Sequence, residues 1–591
     1  MVSRFVPIAL AFALVATAAF AGPASEGEEA AAPTEQEMVR DPATGEMVTA
    51  PEYGGTITVS MGSDPTTLDP WENVAAVWAV SATYEKLGIG DWTIDRDEQD
   101  FYNFVPLDHM VPNLASSWEQ PSPTEYVFHI REGVRWQDKP PVNGRELTAE
   151  DIVWSFHRGF GKGSGFTEQA PTAVYRWDKV ESITARDRYT VDVKLSAPDL
   201  GYLFGMVGNS CETSWIMPSE VWEEHGSFND WRTMVGTGPY MVNDRVVDSS
   251  WTFAKHPNYH RQDEKYPEYQ LPYADTFRIL IIPDAGTRLA ALQSGQIDFI
   301  DGLTQTQVTT LGQTHPDIRI NVGLAQKRAY HFDVSKPPFD DIRVRRAMQM
   351  ALPIEEINDT YYDGNGDPTP SGMVATKAVG HHFAYDDWPA ELKEYFEYNP
   401  ERARQLLAEA GYKDGFTTTL DITEWLCCGG DVELTQIAKA YWADIGVDVE
   451  LNVMDLNTMI GLFNAHKLNP MAAYYMDNPY DPVSVLNYTF ISDHPWAIAT
   501  VHAPDEGYEA EVVAMNAAAT VDERRRMIRD LDRYIIEQFW AVQLPNIPIY
   551  KATSPWVKGY NGEREFDSCG GLWQPFARSW VDQDLKAEMG R

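Results

Sequence analysis

The chain has 591 residues, and 47 basic against 88 acidic residues leave a formal net charge of −41. Such a surface repels nucleic acid and anionic membranes, so those partners are excluded and the acidity reads as solubility in a salty or dilute setting outside the cytoplasm. Hydrophobic residues make up 43% of the chain, which fits a large globular core rather than disorder.

The N-terminus comes first in chain order. Arg4 precedes an apolar run, Val6 to Phe20, and Ala19-Phe20-Ala21 fits the small-x-small cleavage pattern. Residues 1–21 therefore read as a signal peptide for export to the periplasm, with the mature chain starting near Gly22. The run is too short to span a bilayer, and no second one approaches the required length of about 18 residues. Residues 22–52 are rich in Ala, Pro, Glu and Thr without hydrophobic period, an acidic linker. Tyr53 to Ser60 opens the folded part with an alternating strand, followed by Leu68-Asp69-Pro70.

From Tyr126 to Arg131 the residues alternate in polarity, the pattern of a half-buried strand. Gly133 allows a turn, and Thr148 with Asp151 three residues on starts a helix. Gly159 to Gly165 is glycine-rich but follows a helix rather than a strand, so it reads as a loop and not a phosphate cradle. Gly236-Thr237-Gly238-Pro239-Tyr240 reads as a tight turn needing positive φ at a glycine. Asp284 caps a helix from Ala285 to Ser294, Gly295 stops it, and a strand follows at Ile297 to Ile300. Further helix starts fall at Asp341, at Asn399-Pro400 and at Asp431, with a capping box at Thr520-Val521-Asp522-Glu523. That last helix carries Met527, Leu531, Tyr534 and Ile535 on one face. Strands alternating with helices across short links give an α/β architecture with mixed sheets.

Motifs for chemistry are missing. No Gly-x-Ser-x-Gly and no His-Glu-x-x-His occurs. Asp363 to Asp367 begins like a calcium loop, but Pro368 stands where glycine is needed. His381-His382 has no partner at ligand spacing and reads as an exposed pair. Four cysteines, Cys211, Cys427, Cys428 and Cys569, permit disulfides in an exported chain without fixing their pairing. The expectation is a protein that is no enzyme and holds no cofactor or metal.

The block Leu114 to Phe156, with Gly236 to Tyr240, His256-Pro257-Asn258-Tyr259 and the Leu68-Asp69-Pro70 opening, resembles the extracellular solute-binding proteins of the peptide/nickel class, periplasmic receptors of ABC importers. The resemblance covers about residues 53 to 580. It departs at Gln137 to Gly144, where the turn after the aromatic residue is longer than the family pattern. It implies a two-lobed periplasmic-binding-protein-like fold, type II, of the large peptide-binding subclass. Lobe I would take residues 53–325, with an inserted subdomain at about 84–210. Lobe II would take 326–546, and 547–591 would return to lobe I. Hinge crossings would fall near Gly323 to Tyr330 and Asn546 to Ala552.

The resemblance also implies a solute held between the lobes and delivered to membrane permease subunits by a monomer. Asp477, in Ala473-Tyr474-Tyr475-Met476-Asp477-Asn478-Pro479, matches the aspartate that holds a peptide amino group, with Tyr474 and Tyr475 as cleft wall. Where some oligopeptide receptors carry an arginine for a carboxylate, this chain has Asn469-Pro470-Met471-Ala472. The segment Glu424 to Gly430 joins a strand to a helix, where α/β proteins place ligands, and Trp425 is its stacking candidate. Trp71 and Trp78 are the candidates on the facing lobe. A peptide or peptide-like solute is the leading reading. An oligosaccharide, a nickel chelate or another small solute on the same fold is the alternative, and a secreted hydrolase or a chaperone-like binder a remote one.

Overall fold

The computed structural model describes residues 37–591 except 43–44, 73–79, 96–104, 106, 174–176, 210–213, 375, 377–379, 424–430, 476–481, 495–496, 501 and 564–572. The leader, most of the linker and all four cysteines lie outside the described residues.

Ten strands form one large mixed sheet: β1 (Thr56–Met61), β2 (Tyr240–Val246), β3 (Ser250–Lys255), β4 (Thr276–Ile281), β5 (Phe299–Leu303), β6 (Arg319–Phe332), β7 (Phe416–Thr423), β8 (Val447–Met454), β9 (Met471–Tyr475) and β10 (Ala541–Thr553). Their order across the sheet is β2-β3-β4-β1-β5-β10-β6-β9-β7-β8. β1 pairs in parallel with β4 and β5, and β7 pairs in parallel with β8 and β9. The long strands β6 and β10 run antiparallel and join these two halves. Ile57, Val59, Phe253 and Phe277 are buried in one core, which also takes in Tyr508, Ile528, Leu531 and Ile535 from later in the chain, and Leu420, Val447, Val449 and Trp442 are buried in another.

Beside the first half lies an antiparallel four-stranded sheet, Ala115–Ser122, Glu125–Ile130, Thr190–Leu195 and Val180–Asp187 in spatial order. Helix Ala149–Phe160 packs on it. The Asp151 carboxylate accepts the Thr148 N–H at 2.8 Å, closing the expected capping box. On the same helix, Arg158 forms a buried ion pair with Asp69, and its Nη1 lies 3.1 Å from Asp69 Oδ1. Burial still raises the Asp69 carboxyl above its usual range, against the lowering effect of Arg158. The pair ties the Leu-Asp-Pro segment to this subdomain.

Gly236 to Tyr240 is a clamp. The Gly238 N–H donates to the Thr83 carbonyl at 2.9 Å, and the Tyr240 N–H to the Ala82 carbonyl at 3.1 Å. Gln137 fills the other side, its Nε2 donating to the Gly238 and Tyr240 carbonyls at 3.2 and 2.9 Å. Neither glycine has positive φ, contrary to the turn expected from sequence. Both are needed for close approach: a Cβ at Gly236 would stand 1.8 Å from the Thr83 oxygen, and one at Gly238 would stand 2.7 Å from it.

Helix Val521–Gln538 starts at the expected cap, Thr520 accepting from the Glu523 N–H. Its buried face holds Ile528, Leu531, Ile535 and Ile536, and also Asp532, which hydrophobic spacing does not reveal. Asp532 accepts the Val374 and Phe383 N–H groups at 3.0 and 2.9 Å. Burial pushes its carboxyl up to about 7, despite these N–H groups and the positive charge of Lys327. His381, in the loop gathered around Asp532, is buried rather than exposed as its sequence suggested.

Two outcomes follow from these contacts. Gly236→Ala should destabilise the protein by about 3 kcal/mol, the upper end of ordinary overpacking. The control Gly312→Ala, whose Cβ meets nothing within 4 Å in an exposed helix, should be neutral or stabilising. Urea melts measure both, and equal effects would show that the Thr83 contact does not govern the site. For Asp532, the folded chain keeps a proton between about pH 4 and pH 7 that the unfolded chain has released. Its contribution to stability therefore falls as pH rises through that window, and the loss is complete above it. Asp532→Asn should flatten the decline by up to one proton, about 1.4 kcal/mol per pH unit. Parallel stability–pH curves for the two proteins would count against a protonated Asp532.

Candidate functional site

The carboxyl ends of the parallel strands β7 and β9 lie side by side with the middle of β6. Register places Tyr475 of β9 opposite Arg328 of β6, and Ala472 beside Asp421 of β7. The segment 424–430 leaves the end of β7, and the segment 476–481 leaves the end of β9. Ligands of α/β proteins bind at this edge because the strand-to-helix loops gather there. Asp477 and Trp425 are in these segments and, like Trp78, lie outside the described residues.

Asp431 closes the first segment. It caps helix Val432–Asp444, its Oδ1 accepting the Leu434 N–H at 3.0 Å. The other oxygen pairs with Arg328 Nη1 at 2.8 Å, and Tyr361 donates its hydroxyl to Oδ1 at 3.0 Å. Arg328 is buried, so its charge requires such a partner. Next to it, buried Lys327 donates to the Thr369 carbonyl and the Ser371 hydroxyl, each at 2.9 Å. Two consecutive cations on the strand that joins both halves thus anchor the far ends of loops in the second half. Sequence reading missed this pair. The visible signal was Lys-Arg inside an apolar strand of a strongly acidic chain.

Tyr474 is buried on β9, its ring 4.9 Å from that of Phe463 and packed among Met459, Ala472 and Ile498. The side chain of Tyr475 lies outside the described residues. Trp71 is fully buried in the first half, with its indole N–H donating to the Trp215 carbonyl at 3.3 Å and its ring edge-on to Phe160. That is the setting of a core tryptophan.

In the first half, the clamped Ala82-Thr83 segment leads into Glu85. The Glu85 carboxylate is buried and accepts from Tyr259, His260 and Asn113 at 2.9, 3.0 and 3.2 Å. Burial alone would raise it, but the His260 ring and hydrogen bonds from His260, Thr237 and Tyr259 outweigh that and hold it at about 2. Among the described residues no group of three or more His, Cys, Asp or Glu side chains is placed to hold a metal ion. None of the described helices is long and apolar enough to cross a membrane.

Comparison with known proteins agrees with this geometry. A family model described as bacterial extracellular solute-binding proteins, family 5 middle, matches residues 109–496. The periplasmic oligopeptide-binding protein OppA of Escherichia coli is 23% identical over 543 residues, covering 87% of this chain and 91% of its own. The heme-binding protein A of Haemophilus influenzae is 29% identical over 350 residues, 57% of this chain and 60% of its own length. Among solved structures, the periplasmic binding protein DppA of Helicobacter pylori, in complex with the peptide STSA, superposes with a TM-score of 0.67 at 20% identity, over 90% of this chain and 99% of its own. HbpA2 of Haemophilus parasuis superposes with a TM-score of 0.70 at 20% identity, over 89% of this chain and all of its own. The fold is that of the type II periplasmic binding proteins, and the chain belongs to the family 5 bacterial extracellular solute-binding proteins.

Proposed function

We propose that the protein is the solute-capturing component of an ABC importer, holding a peptide or peptide-like solute between two lobes and handing it to membrane permease subunits. The observation that carries this reading is the junction itself. Among the described residues the two halves of the main sheet are joined through β6 and β10, and the carboxyl ends of β7 and β9 lie beside that junction. Family relatives named for oligopeptides and dipeptides support the solute class. The division into lobes follows the boundaries read from the sequence, 53–325, 326–546 and 547–591. Capture takes place in the periplasm after removal of residues 1–21, by a monomer and without chemistry on the solute.

Asp477 is the group assigned to the solute's amine, with Tyr475 and Trp425 as neighbours. A buried ammonium is stable only against an anion that is itself held in place, so the aspartate and the amine depend on each other. The absence of an arginine in Asn469-Pro470-Met471-Ala472 favours solutes whose far end is blocked, extended or neutral over short peptides gripped at both ends.

Native mass spectrometry of gently purified protein should show a retained solute, and calorimetry then gives its affinity. Asp477→Ala should weaken an amine-bearing solute by about 2–5 kcal/mol. Unchanged affinity would remove Asp477 from the site and point to a neutral solute such as a sugar.

A further inference from the structure

A half-open cavity lies away from the junction, beneath an N-terminal hairpin. Met38–Arg40 and Met47–Thr49 pair antiparallel, and together with Trp92, Trp580 and the residues below they line a space of about 420 Å³. That volume falls within the range of small-molecule sites. Arg319, which lines it, begins β6 eight residues before Lys327, so the cavity is roughly 25 Å along the strand from the cleft edge.

The charges on its wall are unevenly matched. Its two acids are engaged: Asp41 pairs with Lys265 at 3.5 Å, and Asp263 accepts from the Tyr273 hydroxyl at 2.8 Å and the Lys265 N–H at 2.7 Å. Arg578 is held by Glu264 at 2.6 Å and lies over the Trp92 ring at 4.7 Å. Arg319 and Lys558 are different. Arg319 donates to the Val557 carbonyl, and among the described residues no carboxylate comes within 4 Å of its guanidinium. The nearest carboxylate to Lys558 is Asp582 at 3.9 Å, and that group already caps the last helix through the Leu585 N–H at 2.9 Å. Burial lowers the pKa of both cations; for Lys558 the charges of Asp582 and Glu52 oppose that effect and Arg319 adds to it, and for Arg319 Tyr560 and Glu563 oppose it. Two cations that repel each other across one cavity are stabilised by an anion between them.

The remaining wall is apolar. Met38, Met47 and Val48 of the hairpin face the same space as the rings of Trp92 and Trp580. An inorganic anion would leave that surface wet, and a neutral hydrocarbon would add no charge opposite the two cations. We propose that this cavity binds a small amphiphilic carboxylate, with its head between Arg319 and Lys558 and its apolar limb against the two tryptophans and the hairpin methionines. The site is separate from the peptide cleft and does not rest on that assignment.

Titration calorimetry with the full chain tests it, using decanoate as probe and decanol and acetate as tail-only and head-only controls. Decanoate should bind at least about tenfold tighter than either control and quench tryptophan fluorescence. The double substitution Arg319→Gln, Lys558→Gln should weaken decanoate at least about tenfold, and Lys558→Arg should retain it. Melting curves show whether the double variant is folded, and if it is not, Lys558→Glu alone should produce the loss. Absence of decanoate binding, equal binding of decanol, or binding unaffected by removal of the charge would each overturn the proposal.

Discussion

Everything in this molecule turns on a place where its main sheet is only two strands wide. β5 pairs with β10 only from Tyr550 to Thr553, and β9 pairs with β6 only from Arg328 to Phe332. Between these limits β6 and β10 have each other and a single isolated bridge, Asp367 to Asn546. Their register is itself interrupted there, between Leu324 and Lys327 and again between Lys327 and Ala329. Pro545 and Pro548 fall in this stretch of β10. Proline has no N–H to give a ladder and is tolerated in strands only where a neighbour is missing. The composition of the junction therefore follows from its narrowness.

The same narrowness explains why the junction is electrostatically fastened on one side. Lys327 and Arg328 are buried consecutive cations, satisfied by Thr369, Ser371 and Asp431 of the second half. Breaking either set would strip hydrogen-bond partners from a buried charge, which is far more costly than bending an unanchored backbone. If the halves close on solute as proposed, the bending falls at Gly323 to Gln326, before the anchored residues. A second set of contacts crosses between the halves farther out. Arg525 of helix Val521–Gln538 pairs with Asp108 at 3.1 Å, and Arg524 of the same helix lies over Phe204 at 5.0 Å. The Arg525–Asp108 pair is part-exposed and weak, but Arg524 and Phe204 are buried, and the first core continues into this helix.

Much of the fold was legible because local rules and tertiary packing agree. The caps at Thr148, Asp284, Asn399, Asp431 and Thr520 all start helices where the sequence predicted them. The strand expected at Ile297 to Ile300 is displaced to Phe299–Leu303, a boundary shift that pairing with β10 decides. Long-range approach was not legible. Gly236 and Gly238 are small because Thr83 lies against them, a fact no turn rule contains. Asp532 looks like one more acid on a charged helix until the backbone N–H groups from a loop some 150 residues earlier are seen to converge on it. At the candidate site the sequence reading named residues of the segments 424–430 and 476–481, which lie outside the described residues, and missed the Arg328–Asp431 pair, since ion pairing across 103 residues leaves no local pattern.

A two-strand junction between the two halves of the main sheet predicts one large motion: closure of the halves on solute. Small-angle X-ray scattering on the protein before and after saturation with a solute of measured affinity reads that motion directly. A smaller radius of gyration with solute bound, lost when the solute is dialysed away, is the predicted result. Superimposable scattering curves at full occupancy would contradict it and leave the junction a static bridge.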